Sequence, residues 1–265
     1  SIKPKNESTK PILNSNNRPR LLQMHSRYMS SIKTKEDIPD FSLCRIVMKY
    51  GREFYLSAQV KYELPQKNNI IDLDRTVAID PNTKNMLAFY STSTAGVFGE
   101  NINQLLDSKN SKISRFQYFE SKAPNKRIKK MLRRKIIRQF NKREGIRDEI
   151  HWKLANALLK NYDTIIIPEF QEQKKCKTLY MSTNRQMFGI SHSLFRNRLE
   201  HKADIQGKRV IVMTEEYTSK TCSQCGHYNI PTDRQDYCSS CRLSIHRDIN
   251  AAKNIMMKDY MELLR

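Results

Sequence analysis

Four cysteines and one aspartate near the C-terminus carry the sharpest chemistry in this chain. Cys222 and Cys225 form one Cys-x-x-Cys pair, Cys238 and Cys241 form a second, and 12 residues separate them. Each pair makes a tight knuckle, and four thiolates close a tetrahedron around one structural Zn2+. His227 follows the first knuckle, but four cysteines already complete such a site. The other two cysteines, Cys44 and Cys176, are far apart in the chain. Cys44 sits in an apolar run and reads as core; Cys176 reads as a loop thiol. No apolar leader opens the sequence, so we expect an intracellular, reducing setting, in which such thiols bind metal rather than oxidise.

Asp248 comes seven residues after Cys241 and starts an apolar helical pattern, Asp248-Ile249-Asn250-Ala251-Ala252-Lys253-Asn254. A second acid, Asp80, ends the buried run Val77-Ala78-Ile79. Three further acids follow strand-like runs: Glu169 after Ile165-Ile166-Ile167-Pro168, and Glu215 and Glu216 after Val210-Ile211-Val212-Met213-Thr214. Each has an ordinary use. A strand-end acid serves in a turn, and an acid at a helix start suits the helix dipole. Together they have a chemical use. Phosphodiester hydrolysis by two metal ions needs carboxylates from distant parts of a chain to hold two Mg2+ ions ~3.5–4 Å apart. Hard oxygen ligands are what Mg2+ prefers. The residues alone leave the third acid open among Glu169, Glu215 and Glu216.

The elements that must position these groups are legible in outline. Two β-rich runs, 41–50 and 53–62, flank Gly51-Arg52 and predict a hairpin. Strands are expected at 75–80, 85–90 and near 95–99, then helices over 101–108 and 111–120. Pro124 opens a long helical stretch broken at Gly145; its second part carries a core-facing stripe, with Trp152 on the apolar side. A strand at 164–168, a polar loop over 171–187, a helix from Phe188 to Ile205 stopped by Gly207, a strand at 209–214 and a final helix from Asp248 to Leu264 complete the order. This is an α/β plan of RNase H type. Residues 1–18 read as a tail.

The 265 residues carry 48 Lys and Arg against 27 Asp and Glu, a formal net charge of +21. That excess points to a polyanionic partner, nucleic acid above all. No stretch approaches the ~20 apolar residues of a membrane span, so no membrane partner is expected. Lys126, Arg127, Lys130, Arg133, Arg134 and Arg138 crowd one helical segment with almost no balancing acid. With Lys220 and Arg247, they are the candidate nucleic-acid contacts. Phe116, Tyr118, Phe119 and Phe140 lie near them, placed either to stack on bases or to pack in the core.

Assembled, these stretches resemble a known group. Val77-Ala78-Ile79-Asp80-Pro81, Ile165-Ile166-Ile167-Pro168-Glu169-Phe170, Glu200-His201-Lys202-Ala203 with Gly207, Thr218-Ser219-Lys220-Thr221-Cys222-Ser223-Gln224-Cys225-Gly226 and Arg247-Asp248-Ile249-Asn250-Ala251-Ala252-Lys253-Asn254 are similar to the RuvC nuclease core of the TnpB family. That family comprises transposon-encoded RNA-guided DNA endonucleases, relatives of type V CRISPR effectors. Within it the chain looks most like the Fanzor branch. The likeness spans about residues 70–258, and the hairpin of 41–62 resembles the later part of the β-rich wedge domain that precedes RuvC.

The resemblance implies an RNase H-like (RuvC) core over 69–265 with a zinc ribbon inserted at about 217–245. A flexible tail and partial wedge domain would fill 1–68. It implies guide RNA and target DNA as partners, and a nuclear setting in a eukaryotic host or a cytoplasmic one otherwise. In bacterial TnpB proteins a Glu directly follows the second apolar strand; here Pro168 holds that place. Proline binds no metal, and a one-residue shift to Glu169 reverses the side chain's face. Fanzor proteins resemble this arrangement and take a Glu from the strand before the ribbon, which maps onto Glu215. The implied Mg2+ ligands are thus Asp80, Glu215 and Asp248, with Glu169 the alternative to Glu215. Two other readings stand beside this one: an inactive RNA-guided DNA binder, and a guide-independent RNase H-fold nuclease. TnpB-like proteins carry a helical recognition domain and the first part of the wedge domain before the hairpin, and little of that is expected to fit into residues 1–40.

Overall fold

The computed structural model describes residues 21–23, 31–33, 43–49, 53–59, 63–67, 71–169, 181–214, 220–228 and 235–263. The chain divides into two compact units, Ser1–Glu63 and Leu64–Arg265. The first holds two antiparallel pairs. Strands β1 (Leu21–Gln23) and β2 (Ser31–Lys33) form one. Strands β3 (Leu43–Lys49) and β4 (Glu53–Gln59) form the expected hairpin, in register from Leu43 opposite Gln59 to Lys49 opposite Glu53. The expected tail at 1–18 and the side chain of Cys44 lie outside the described residues, as does Cys176.

The second unit is built on a five-stranded sheet. Its strands are β5 (Thr76–Pro81), β6 (Leu87–Ser91), β7 (Ala95–Phe98), β8 (Thr164–Pro168) and β9 (Arg209–Met213), in the order β7-β6-β5-β8-β9. β5, β6 and β7 run antiparallel, and β8 and β9 run parallel to β5. Both faces are covered, so the central strands are apolar without alternation. Helices α1 (Ile102–Ser121), α2 (Lys126–Asn161) and α4 (His192–Ile205) supply one layer, where Ile102, Leu106, Leu154, Leu158, Phe195 and Leu199 pack with Val77, Ile79, Ile165 and Ile167. Helix α5 (Arg247–Leu263) covers the other face, where Ile255 and Met256 pack with Ala78, Ile166 and Met213. Helix α3 (Met181–Ile190) precedes α4, and β10 (Gln235–Tyr237) pairs with β11 (Ser244–His246) just before α5. Among the described residues, no helix is long and apolar enough to cross a membrane.

Four local expectations are corrected. The two helices expected over 101–108 and 111–120 are one, because Asn110 between them is buried with both amide ends paired: Arg143 donates to its Oδ1 at 3.2 Å, and its Nδ2 donates to Asp107 at 3.3 Å. Gly145 does not break α2, since Leu154, Ala155 and Leu158 beyond it are buried and hold the helix through it. The helix expected from Phe188 is two, and part of the expected 171–187 loop is α3. Ser191 sits left-handed at φ 54 between them, its N–H closing on Met187 at 2.9 Å. Trp152 is not core: it is 39% exposed, with the Arg198 guanidinium 5.4 Å and the Lys202 ammonium 5.7 Å from its ring. A cation over an indole face accounts for its half-covered position.

Candidate active site and metal centre

Strand parity decides which acids face each other. Val77 and Ile79 point to the α1/α2/α4 layer and Ala78 to α5. Asp80, two residues beyond Ala78, therefore shares the α5 face. It pairs across the sheet with Ala88 and is half-buried. Asp248, in the first turn of α5, is also half-buried. The two are brought together through Asn82, whose Nδ2 donates to Asp248 Oδ2 at 3.1 Å. Two residues of chain span at most ~7 Å, so the end of β5 that carries Asp80 lies against the start of α5.

The same parity places Ile166 on the α5 face and Ile165 and Ile167 on the other. Pro168 thus shares the α5 face, and its partner across β9 is Met213. Glu169 is exposed and still on the ladder, its N–H donating to the Met213 carbonyl at 2.6 Å. Its parity is that of Ile165 and Ile167, away from Asp80. Glu215 and Glu216 lie outside the described residues, as do 217–219.

The start of α5 is also where the ribbon docks. Asn250 is buried; its Oδ1 accepts the Ser223 N–H at 2.9 Å and its Nδ2 donates to the Thr221 carbonyl at 2.8 Å. Asn254, one turn on, donates to the same carbonyl at 2.6 Å. Ala251 and Ala252 between them are buried, which lets the helix lie close to the sheet. Lys253 places its ammonium 5.7 Å from the Tyr90 ring on β6, and Lys258 donates to Thr214 Oγ1 at 2.9 Å. Asn250, Lys253 and Asn254 of the motif around Asp248 therefore each have a contact that fixes the helix.

The four cysteines converge. Their sulfurs all lie within 4.8 Å of one another; Cys222 and Cys241 are 3.7 Å apart, and Cys225 and Cys238 are 3.6 Å apart. A tetrahedral ion with ~2.3 Å bonds to sulfur has S···S edges of ~3.8 Å, whereas a disulfide is ~2.05 Å. The spacing fits a Zn2+ site. The knuckles match in detail: Gly226 N–H donates to the Cys222 carbonyl as Arg242 N–H does to Cys238, and Cys222 N–H donates to the His227 carbonyl as Cys238 N–H does to Leu243. Both fifth residues are left-handed, Gly226 at φ 72 and Arg242 at φ 59. A backbone hydrogen bond from Leu243 pulls the Cys241 thiol down, but desolvation and the three neighbouring sulfurs outweigh it and push it up to about 12. Four thiols this close ionise together only around a cation. Among the described residues, no other set of three or more His, Cys, Asp and Glu side chains closes in this way.

The basic helix presents its charge outward. Lys126, Arg127, Lys130, Arg133, Arg134 and Arg138 are all exposed, with Glu120 taking only Arg133 at 2.9 Å and Lys129 at 3.8 Å. An open cavity of about 490 Å3 lies beside it, lined by Phe116, Lys135, Arg138, Gln139, Asn141 and Lys142. Lys220 is exposed at the ribbon's start, its ammonium 5.9 Å from the Tyr228 ring, and Arg247 opens α5. Sequence reasoning missed Asn82, His151 and His192. Asn82 alone had a signal, an Asn in a turn two residues after a strand-end acid.

A mixed five-stranded sheet with a helix packed behind its first strand, carrying a four-cysteine insert before that helix, defines an RNase H-like protein with a zinc-type ribbon. Comparison with known proteins agrees. The Cas12f1-like TNB domain model matches residues 192–255. A putative transposase of Paramecium bursaria Chlorella virus 1 is 33% identical over 235 residues, covering 88% of this chain and 53% of the relative. A TnpB-like protein of Acanthamoeba polyphaga mimivirus is 27% identical over 205 residues, covering 74% and 38%. A solved complex of Cas12f1 with sgRNA and target DNA shares the fold, with a TM-score of 0.52 at 20% identity over 71% of this chain and 51% of that one. The chain is similar to transposase and TnpB-like proteins over most of its own length, and it spans about half the length of the first of these relatives.

Proposed function

We propose that this chain is the nuclease part of an RNA-guided, Mg2+-dependent DNA endonuclease of transposon-associated type, nearest the Fanzor branch. The carrying observation is the Asn82–Asp248 hydrogen bond, which holds the helix-start acid against the strand end that bears Asp80. Residues 69–265 form the nuclease domain, with the ribbon insert at about 217–245, and 1–68 the tail and partial wedge domain. Asp80, Glu215 and Asp248 would hold the catalytic Mg2+. Glu169 has the parity of Ile165 and Ile167, which pack away from α5; this favours Glu215 as the third acid. When bound, such ions activate water and neutralise charge on the scissile phosphate, leaving a 5′-phosphate and a 3′-hydroxyl.

The protein's own part is placement. β5 and α5 hold their acids on one face of the sheet. The ribbon, gripped by Asn250 and Asn254, stiffens the approach to them. Lys126, Arg127, Lys130, Arg133, Arg134, Arg138, Lys220 and Arg247 would hold guide RNA and target DNA by their phosphates. The complex of the solved relative contains both kinds of strand. The test is to purify the full chain, sequence the RNA that travels with it, and assay cleavage of matching DNA with Mg2+. Guided cleavage supports the reading. Binding without nicking favours the inactive binder, for which Pro168 at the bacterial Glu position speaks. Cleavage with no RNA favours the guide-independent nuclease.

A further inference from the structure

The turn 82–85 between β5 and β6 is clamped from three helices. Asn82 Oδ1 accepts the backbone N–H groups of Lys84 at 3.1 Å and Asn85 at 2.8 Å, closing an Asx turn. The Asn82 carbonyl accepts from His192 Nε2, at the start of α4, at 3.0 Å. A carbonyl only accepts, so His192 carries its proton on Nε2. Asn103, on α1, donates to the Lys84 carbonyl at 3.0 Å. The third helix is α5, through Asp248.

This arrangement fixes which end of the Asn82 amide meets Asp248. Flipping the amide would set its NH2 against two backbone N–H donors, so Nδ2 must face the carboxylate. The terminal torsion of an aspartate is broad and roughly two-fold. A donor held on Oδ2 removes that freedom and leaves Oδ1 to serve as the ligand oxygen.

We propose that Asn82 is a positioning residue for Asp248: its locked amide orients the Asp248 carboxylate so that Oδ1 is presented to a divalent cation. The proposal rests on the two-metal reading above. Partners that orient a metal-binding side chain are typically worth ~10–100-fold in metal affinity or activity.

The test compares Asn82→Ser and Asn82→Ala with the unaltered, zinc-loaded full chain. Serine still accepts from the N–H two residues on, which preserves a weaker form of the turn, but it is too short to reach Asp248. Alanine loses both contacts. Mn2+ binding followed by electron paramagnetic resonance gives a readout independent of cleavage, and melting temperature reports folding. We expect both variants to weaken Mn2+ binding and lower kcat by ~10–100-fold, with KM for DNA unchanged and Asn82→Ser melting close to the parent. If Asn82→Ser binds Mn2+ and cleaves like the parent, only the turn matters and the proposal is overturned. If Asp248→Ala leaves Mn2+ binding intact, the two-metal reading falls and the proposal falls with it.

Discussion

At the scale of single residues, the chain solves problems by placing unusual groups where neighbours force their state. His151 is fully buried in α2. Its Nε2 lies 2.9 Å from the Ile190 carbonyl and its Nδ1 3.1 Å from Arg198 Nη1. A guanidinium only donates and a carbonyl only accepts, so the ring is the neutral Nε2–H tautomer. Burial pushes its pKa down to about 4; the Ile190 carbonyl and Asp148 oppose this, and Arg198 and Arg147 reinforce it. The sign follows directly. Between about 4 and 6.5 the unfolded chain binds more protons, so stability is full above that window and falls as pH drops through it. The full shift corresponds to about 3 kcal/mol. We expect His151→Gln to flatten this part of the stability profile; taking the difference from the parent removes the acid loss of zinc common to both. An unchanged slope in denaturant titrations across pH 4–7 would contradict the assignment. Arg242 makes a second case. It holds a left-handed conformation where the matching knuckle has Gly226, at a cost of about 1 kcal/mol for a side chain there. Arg242→Gly should raise the melting temperature of the zinc-loaded protein, and a lowered one would show that the side chain itself is needed.

At the scale of elements, the legible parts were those whose pattern is local. The Cys-x-x-Cys spacing forecast a cluster that the sulfur distances reproduce. Apolar runs ending in acids forecast β5 and β8, and the hairpin was readable from its turn. What failed depended on partners far along the chain. The break expected between 108 and 111 is absent because Arg143, 33 residues on from Asn110, supplies its contact. Ser191 looked like helix interior; the neighbouring Ile190 carbonyl is instead taken by His151 of α2. Asn82 and Asp248 are 166 residues apart, and no spacing rule joins them. Gly145 looked like a breaker because its propensity is poor, yet an added Cβ would meet nothing within 4 Å. Gly145→Ala should therefore stabilise α2 by about 0.5–1 kcal/mol, read as a higher denaturant midpoint with an unchanged slope. A loss of stability would mean that the helix needs this flexibility. The ribbon should respond to its metal. Cys225→Ser or chelation should release zinc and lower the melting temperature, because structural zinc supplies folding energy. Full stability after chelation would refute a structural role.

At the scale of the whole molecule, segments far apart in the chain converge on one end of the sheet. The sheet order β7-β6-β5-β8-β9 puts β5 at its centre, and α5 returns after more than 160 residues to lie across it. Asp248 arrives beside the end of β5 only because the ribbon, Asn250 and the apolar stripe of α5 seat that helix. The charge of +21 then gives the molecule a reason to meet polyanions. The most direct measurement is guided DNA cleavage by the full chain in Mg2+, set against Asp248→Ala and Asp80→Ala, with DNA binding measured in parallel. The account predicts that each substitution abolishes cleavage while binding stays within about two-fold, since a lost metal ligand removes chemistry and leaves the phosphate contacts. Cleavage surviving both substitutions would contradict it.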